Sequence, residues 1–222
     1  MANRYLKRTV LHVEGRNDLF TIANLLEKHS FQIKNSPRDV EIHKSALDDQ
    51  TSGRDELLKL IGTAVKASTD NAVGFVIDAD HSSAATWSSV QQHIQSAIGA
   101  KFKLPKTFPV EGFVADLADL KSRVGVWIMP DNLSGGILED FLQRLIADKD
   151  PLLPIAKKAT SDAKKAGAKF KAVAASKSVI HAWLAWQENP GCPFGTAIKA
   201  QYFDHQAKTA KAFIAWVRRL VD

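Results

Sequence analysis

The stretch Ala72–Asp80, AVGFVIDAD, decides the fold class of this 222-residue chain. From Ala72 to Ile77 its residues are almost all apolar, and no polar residue alternates with them. A short continuous apolar run of this kind is typical of a strand covered on both faces, as in a parallel sheet. The run ends in Asp78 and Asp80, so the predicted strand places two carboxylates at its carboxyl end.

Strands and helices alternate on either side of this stretch. Apolar runs predict further strands at Thr9–Val13, Val40–His43 and Val124–Met129. Between the strands, apolar residues recur at helical spacing, first in LFTIANLLEKH, where Asn17 or Asp18 is the expected N-cap. The alternation predicts an α/β protein with a predominantly parallel central sheet and helices on both faces.

Beyond Leu138 the pattern changes to consecutive helices. We therefore predict an α/β domain over residues 1–140 and a mainly helical C-terminal extension over residues 141–222. The apolar helix faces around Trp183 and Trp216 need cover, so the extension is expected to pack on the α/β domain. These tryptophans could also stack on nucleic-acid bases, but aromatic residues at helical spacing beside Leu and Ile are usually core residues.

The charge of the chain is unevenly distributed. Residues 151–222 contain 12 Lys and Arg against 4 Asp and Glu, a net charge of +8, whereas residues 1–150 contain 18 against 20. A basic C-terminal third indicates a surface that attracts phosphate-rich polymers, DNA or RNA, although a solvated lysine-rich helical surface explains the composition equally well. The candidate nucleic-acid-binding residues are Lys169, Lys171, Lys177 and Lys199.

Composition and motifs exclude several classes of protein. The single cysteine, Cys192, excludes a disulfide scaffold and favours a reducing compartment. No apolar run approaches the roughly 20 residues that span a bilayer, and the opening residues lack the apolar stretch of a secretory signal. We therefore expect a cytoplasmic protein without membrane association. The phosphate-binding motif G-x-x-x-x-G-K-[ST] is absent, so an ATP-driven function requires a separate partner.

Acidic residues follow three of the predicted strands. In an open parallel sheet, ligands bind beyond the carboxyl ends of the strands. Clustered carboxylates repel one another and persist when cations neutralise them, and oxygen ligands of this type suit Mg²⁺ or Mn²⁺. A blander explanation is open for Asp80, which with Ser82 can simply start a helix. The candidate metal ligands are Glu14, Asp18, Asp78, Asp80, Asp131, Glu139 and Asp140.

The segments VEGRND and FVIDADHS together resemble the Toprim domain, the metal-binding module of type IA and II topoisomerases, bacterial primases, OLD-type nucleases and a small ribosomal-RNA maturase. The whole chain, with VGVWIMPDNLSGGILEDFL and HAWLAWQENPGCPFGTAIKAQYFD, is similar to a family of small stand-alone Toprim-like bacterial proteins. The resemblance implies a Toprim-like α/β fold. It also implies that Glu14 is the Toprim glutamate and that Asp78 and Asp80 are its paired metal-binding aspartates.

The resemblance extends to residues outside these two motifs. The additional acid of OLD-type nucleases falls on Asp18, and the downstream acidic motif of primases is loosely similar to Asp131, Glu139 and Asp140. OLD-type nucleases also use a lysine from a helix beyond the sheet, for which Lys177 is the candidate here. The chain lacks the tyrosine-bearing domain that a topoisomerase requires.

These observations favour a Mg²⁺-dependent nuclease of Toprim type, in which Glu14 and Lys177 are the candidate catalytic residues. The alternative is a non-catalytic or partner-dependent module that binds metal and nucleic acid, for example with a separate ATPase in a phage-defence system. A dehalogenase-like phosphatase is disfavoured because that class needs its Asp-x-Asp after the first strand and a following Gly-Thr. An α/β domain with no metal site is the remaining alternative.

Overall fold

The computed structural model describes residues 8–33, 40–46, 52–99 and 102–222. The prediction that the opening residues lack a secretory signal concerns a segment of which residues 1–7 lie outside these ranges. The described strands are β1 (Thr9–Val13), β2 (Val40–Lys44), β3 (Ala72–Asp78), β4 (Phe113–Leu117) and β5 (Ser122–Met129). The described α-helices are α1 (Arg16–Lys28), α2 (Gly53–Ala67), α3 (Ser83–Ile98), α4 (Leu138–Gln143), α5 (Leu152–Lys165), α6 (Ala175–Leu184), α7 (Phe194–Lys199) and α8 (Lys208–Val221).

The five strands form one sheet in the order β2-β1-β3-β5-β4. β1 pairs in parallel with β2 and with β3, and β3 pairs in parallel with β5. Only β4, at one edge of the sheet, is antiparallel to its neighbour among the described strands. The predicted fold class is confirmed: an α/β protein with a predominantly parallel central sheet, surrounding helices and C-terminal helices.

Alternate side chains of β3 enter two separate cores, one on each face of the sheet. Ala72 and Val76 pack in the core that includes α1 and the C-terminal helices. Val73, Phe75 and Ile77 pack in the core that includes α2 and α3. Because both faces are covered, β3 needs apolar residues at nearly every position, and this is why it appears in the sequence as an uninterrupted apolar run.

The last helix packs directly against the sheet. A Cβ atom added at Gly74 would lie 2.6 Å from Leu220 Cδ2, so the missing side chain in β3 makes room for α8. The indole Nε1 of Trp216 donates a hydrogen bond of 3.0 Å to the carbonyl oxygen of Phe113. Trp183 and Trp216 are both buried, as expected for core residues, whereas Trp186 is exposed.

The structure differs from the sequence-based expectation in several elements. Helix α1 begins at Arg16 with Gly15 as its N-cap, so Asp18 is the third helical residue and not the cap. Strand β4 and helix α7 were not predicted, and α4 ends at Gln143 instead of continuing through the apolar residues that follow. Among the described residues, no helix has both the length and the apolar composition needed to cross a membrane.

Candidate metal centre

Glu14 and Asp78 lie beside each other because their strands are neighbours. Val13 and Val76 are partners in the parallel pairing of β1 with β3, so both strands end at the same edge of the sheet. The backbone N–H of Asp78 donates a hydrogen bond of 2.8 Å to Oε1 of Glu14. The carboxylate that follows β1 is therefore tied to the last residue of β3.

The first turn of α1 contributes Asp18. Its Oδ2 accepts a hydrogen bond of 3.2 Å from the backbone N–H of Gly15, and Asp18 is only 8% exposed. Gly15 is in an extended conformation and directly follows Glu14. The chain thus turns from β1 into α1 within a few residues, and this short connection keeps Asp18 close to the end of β1.

Helix α4 contributes Glu139 from the other side. Glu139 is the second residue of this helix and is 6% exposed. Its Oε1 lies 4.0 Å from Nζ of Lys177, which projects from α6 and is half-exposed. Lys177, the catalytic lysine implied by the Toprim resemblance, is therefore placed next to a buried acid.

Electrostatic interactions connect these acids. Burial is the main reason that the pKa of Glu14 rises from its ordinary 4.5 to about 8; the hydrogen bond from Asp78 lowers it, and the nearby Asp18 and Asp80 raise it further. Burial, and then the negative charge of Glu14, holds the pKa of Asp78 well above its ordinary value. These groups therefore resist ionising together unless positive charge reaches them.

Asp18 and Glu139 belong to the same electrostatic group. Burial raises the pKa of Asp18 to about 6, and the charge of Glu139 contributes to the rise. Burial also raises the pKa of Glu139, which Lys177 partly offsets. We call Glu14, Asp18, Asp78 and Glu139 the acidic centre.

The donor atoms of the acidic centre suit a hard divalent cation. All of them are carboxylate oxygens, the ligands that Mg²⁺ and Mn²⁺ prefer. Oδ1 of Asp78 is buried and has no hydrogen-bond partner among the described residues. A buried acceptor of this kind is costly unless it binds a cation or a proton.

The side chains do not form a ready coordination shell. Within the ranges that the structure describes, no three His, Cys, Asp or Glu side chains are grouped closely enough to hold a metal ion. The fit to a cation therefore depends on donor chemistry, burial and the unpaired oxygen of Asp78.

Asp80 differs from the acidic centre because its side chain is 40% exposed and a cation lies close to it. Its Oδ2 lies 3.2 Å from Nε of Arg54, at the N-terminal end of α2, although this contact lacks the geometry of a hydrogen bond. Arg54 also donates a hydrogen bond of 3.2 Å to the hydroxyl of Thr86, and its charge lowers the pKa of Glu14. Arg54 was not among the predicted site residues, and its position after Ser52 and Gly53 at a helix start is the only signal for it in the sequence.

Both carboxylate oxygens of Asp131 already have partners in and beside the turn that follows β5. Its Oδ1 accepts hydrogen bonds from the backbone of Leu133 (3.1 Å) and Ser134 (2.7 Å), and its Oδ2 lies 3.1 Å from Nη1 of Arg144. Burial tends to raise the pKa of Asp131, but these hydrogen bonds and Arg144 lower it overall. Its role as a metal ligand stays a prediction from the sequence.

Asp140 is also engaged in local structure. Its Oδ2 accepts a hydrogen bond of 2.9 Å from the backbone N–H of Ile137, at the start of α4. Its Oδ1 accepts a hydrogen bond from the hydroxyl of Ser176 on α6. Asp140 therefore caps one helix and joins it to another, while its metal-binding role stays a prediction.

Gly53 is a further position that the sequence analysis did not single out. A Cβ atom at Gly53 would lie 2.5 Å from the carbonyl oxygen of Glu14. Only a residue without a side chain permits this approach of α2 to the end of β1. Gly53 thereby brings Arg54 within reach of Asp80.

The predicted nucleic-acid-binding lysines are all exposed. Lys177 lies beside the acidic centre, and Lys199 is the last residue of α7. Lys169 and Lys171 belong to the segment between α5 and α6. Their role in binding nucleic acid stays a prediction.

The fold and these contacts define an α/β protein with a partly buried acidic centre at the carboxyl edge of its sheet. The chain belongs to a family described as "Protein of unknown function (DUF3226)", whose model matches residues 8–222. Comparisons with curated proteins and with solved structures gave no match.

Proposed function

We propose that this protein is a metal-dependent nuclease of Toprim type, in which the acidic centre holds Mg²⁺ or Mn²⁺. The observation that carries the proposal is the convergence of four acids at the carboxyl end of the sheet. Asp18 and Glu139 are buried, and Asp78 has a buried oxygen without a partner among the described residues. The VEGRND and FVIDADHS segments support it, because Glu14 and Asp78 occupy the positions that the Toprim resemblance assigns to metal binding.

The acidic centre has a physical need for positive charge. With a pKa of about 8, Glu14 is largely protonated at neutral pH when no cation is bound. A divalent cation favours the ionised carboxylates over the protonated ones, so binding of metal and release of protons are coupled. When bound, Mg²⁺ or Mn²⁺ activates water and neutralises charge on the phosphoryl oxygens.

The chain's own residues position the other parts of such a site. The backbone N–H of Asp78 holds the carboxylate of Glu14 in place. The half-exposed ammonium group of Lys177, 4.0 Å from Glu139, is available to contact a phosphate at the rim of the acidic centre. The net charge of +8 over residues 151–222 favours binding of a nucleic-acid backbone. A cytoplasmic location agrees with the single, unpaired Cys192.

The proposal is tested with the purified full chain and with single- and double-stranded DNA and RNA, in Mg²⁺, Mn²⁺ or EDTA. The informative variant is Asp78→Asn, and the matched control is Asp119→Asn at an exposed aspartate outside the acidic centre. We expect metal-dependent cleavage by the wild type and by the control. Asp78→Asn should lose more than the roughly 10- to 100-fold that substitutions around a metal's direct ligands cost.

Titration calorimetry with Mn²⁺ separates the possible outcomes. Wild-type binding that Asp78→Asn abolishes, without cleavage of any substrate, would favour a non-catalytic or partner-dependent module, for example one acting with an ATPase. Absence of both binding and cleavage refutes the proposed function. Cleavage that Asp78→Asn leaves unchanged refutes the assignment of the site.

A further inference from the structure

A groove of about 420 Å³ lies between α1 and α7, next to the acidic centre in the chain. It begins at Arg16 and Asn17, which lie between Glu14 and Asp18. Its side of α7 includes Lys199, one of the lysines predicted to bind nucleic acid. Its polar lining residues are Arg16, Asn17, Asn24, Thr196 and Lys199, and its aromatic lining residues are Phe20 and Phe194.

The close packing of the two helices shapes this groove. A Cβ atom at Gly195 would lie 2.7 Å from Nδ2 of Asn24 and 2.9 Å from the carbonyl oxygen of Phe20. Asn24 Nδ2 in turn donates a hydrogen bond of 2.7 Å to that same carbonyl oxygen. The floor of the groove is therefore held by fixed contacts, and α7 cannot approach in this way with a larger residue at position 195.

The groove combines an exposed aromatic ring with two cations. Phe20 is 47% exposed, whereas the other phenylalanines of the chain are buried or partly buried. The guanidinium carbon of Arg16 lies 5.5 Å from the centre of the Phe20 ring. Arg16 and Lys199 are both exposed, so their charges are available to an anionic ligand.

This combination matches the chemistry of a single nucleotide in a polymer. Every nucleobase has a π-face that stacks on an aromatic ring or on a guanidinium plane, and every nucleotide carries a phosphate that Arg and Lys bind. In a duplex the bases are stacked on one another inside the helix, so their faces are not available to Phe20. A nucleic-acid polymer that uses both parts of the groove is therefore single-stranded.

We propose that the groove between α1 and α7 binds one nucleotide of single-stranded nucleic acid, with its base on Phe20 and its phosphate between Arg16 and Lys199. This inference rests on the proposed nuclease function, because it specifies the strand form that reaches the acidic centre. Arg16 and Asn17 directly precede Asp18 in the chain, and this adjacency links the groove to the acidic centre.

The test measures the binding of fluorescently labelled oligo(dT), oligo(U) and a DNA duplex by anisotropy, with EDTA present so that no metal-dependent cleavage occurs. Phe20→Ala should weaken binding of the single strands by about 5- to 150-fold, the range that one base–aromatic stack contributes. It should leave duplex binding unchanged. Phe20→Trp should retain single-strand binding, because the stacking surface is kept.

Two further variants control for other causes. Ile155→Ala removes another exposed apolar side chain, on α5, and should leave binding unchanged. Arg16→Gln should lower the slope of log K against log salt by about 0.7, the value for one phosphate contact to a single strand. Comparison of oligo(dT) with oligo(U) shows whether the groove distinguishes DNA from RNA.

The groove is refuted if Phe20→Ala binds single strands as tightly as the wild type, or if it loses duplex binding to the same extent. This failure is distinct from failure of the nuclease proposal. If the protein cleaves nucleic acid but Phe20→Ala does not change single-strand binding, the nuclease proposal stands and the groove proposal is refuted. If the protein binds single strands through Phe20 but does not cleave nucleic acid, the groove proposal stands and the nuclease proposal is refuted.

Discussion

Replacing Glu14 by glutamine should change how the stability of the metal-free protein depends on pH. In the folded protein burial raises the pKa of Glu14 from its ordinary 4.5 to about 8. Between these two values the folded state binds more protons than the unfolded state, so the free energy of unfolding falls as the pH rises. The contribution of Glu14 is fully present below pH 4.5 and is lost as the pH rises through 8.

The size of the effect follows from the same values. Each pKa unit corresponds to about 1.4 kcal/mol, so complete ionisation of Glu14 costs the folded state about 5 kcal/mol. Glutamine carries no charge and keeps an oxygen that can accept the hydrogen bond from the backbone N–H of Asp78. The variant should therefore gain stability relative to the wild type as the pH rises, by about 3 kcal/mol between pH 5 and pH 7.

The measurement is urea denaturation in EDTA at intervals from pH 5 to pH 9, followed by the fluorescence of buried tryptophans such as Trp127. The control is Glu27→Gln, which removes an exposed carboxylate from α1 and should give the same difference from wild type at every pH. If Glu14→Gln also differs from the wild type by the same amount at pH 5 and pH 8, the argument from burial is refuted.

The effect of metal on protein stability tests the role of Glu14 independently. At pH 8, saturating Mg²⁺ or Mn²⁺ should stabilise the wild type by about 3 kcal/mol at 100 times the dissociation constant. The cation should stabilise Glu14→Gln less, because one of its proposed ligands is gone. Equal stabilisation of both proteins would remove Glu14 from the proposed ligand set.

Two further substitutions test the framework around the acidic centre by urea denaturation. Gly53→Ala should destabilise the protein by about 1–3 kcal/mol, because its Cβ would lie 2.5 Å from the carbonyl oxygen of Glu14. The control is Gly62→Ala in the same helix. Its Cβ would lie no closer than 3.7 Å to another atom, so this variant should be neutral or stabilising. Asn132→Ala should cost about 1–3 kcal/mol, since the buried side chain accepts a hydrogen bond of 2.8 Å from the backbone N–H of Ile128, which the variant leaves unpaired. Equal effects of the two glycine variants, or a neutral Asn132→Ala, would contradict these assignments.

The central strands could be predicted because a strand that is covered on both faces consists almost entirely of apolar residues. β1 has the predicted bounds Thr9–Val13, and β3 extends the predicted run by only one residue, to Asp78. β4 escaped prediction because it is a short edge strand containing Asp116, which is exposed in the structure. An edge strand is covered less completely, so its sequence carries a weaker apolar signal.

The acids at the strand ends could also be predicted, but their partners could not. The positions of Glu14 and Asp78 follow from two parallel strands that end at one edge. The pairing of Asp80 with Arg54 depends on how α2 packs at Gly53, and this is not visible in either segment alone. In the turn after β5, Asp131 accepts a hydrogen bond from the backbone N–H of Ser134. The sequence of the turn allows this bond but does not require it, so the bond could not be predicted.

The sequence by itself determined that this chain forms a parallel α/β sheet and that carboxylates follow its strands, because both properties depend on residues that are close together in the chain. Only the tertiary structure decided which acids share one electrostatic environment. The raised pKa values of Glu14, Asp78 and Glu139 come mainly from burial in the folded protein. Desolvation and charge–charge repulsion depend on distances in space, which the order of residues does not contain.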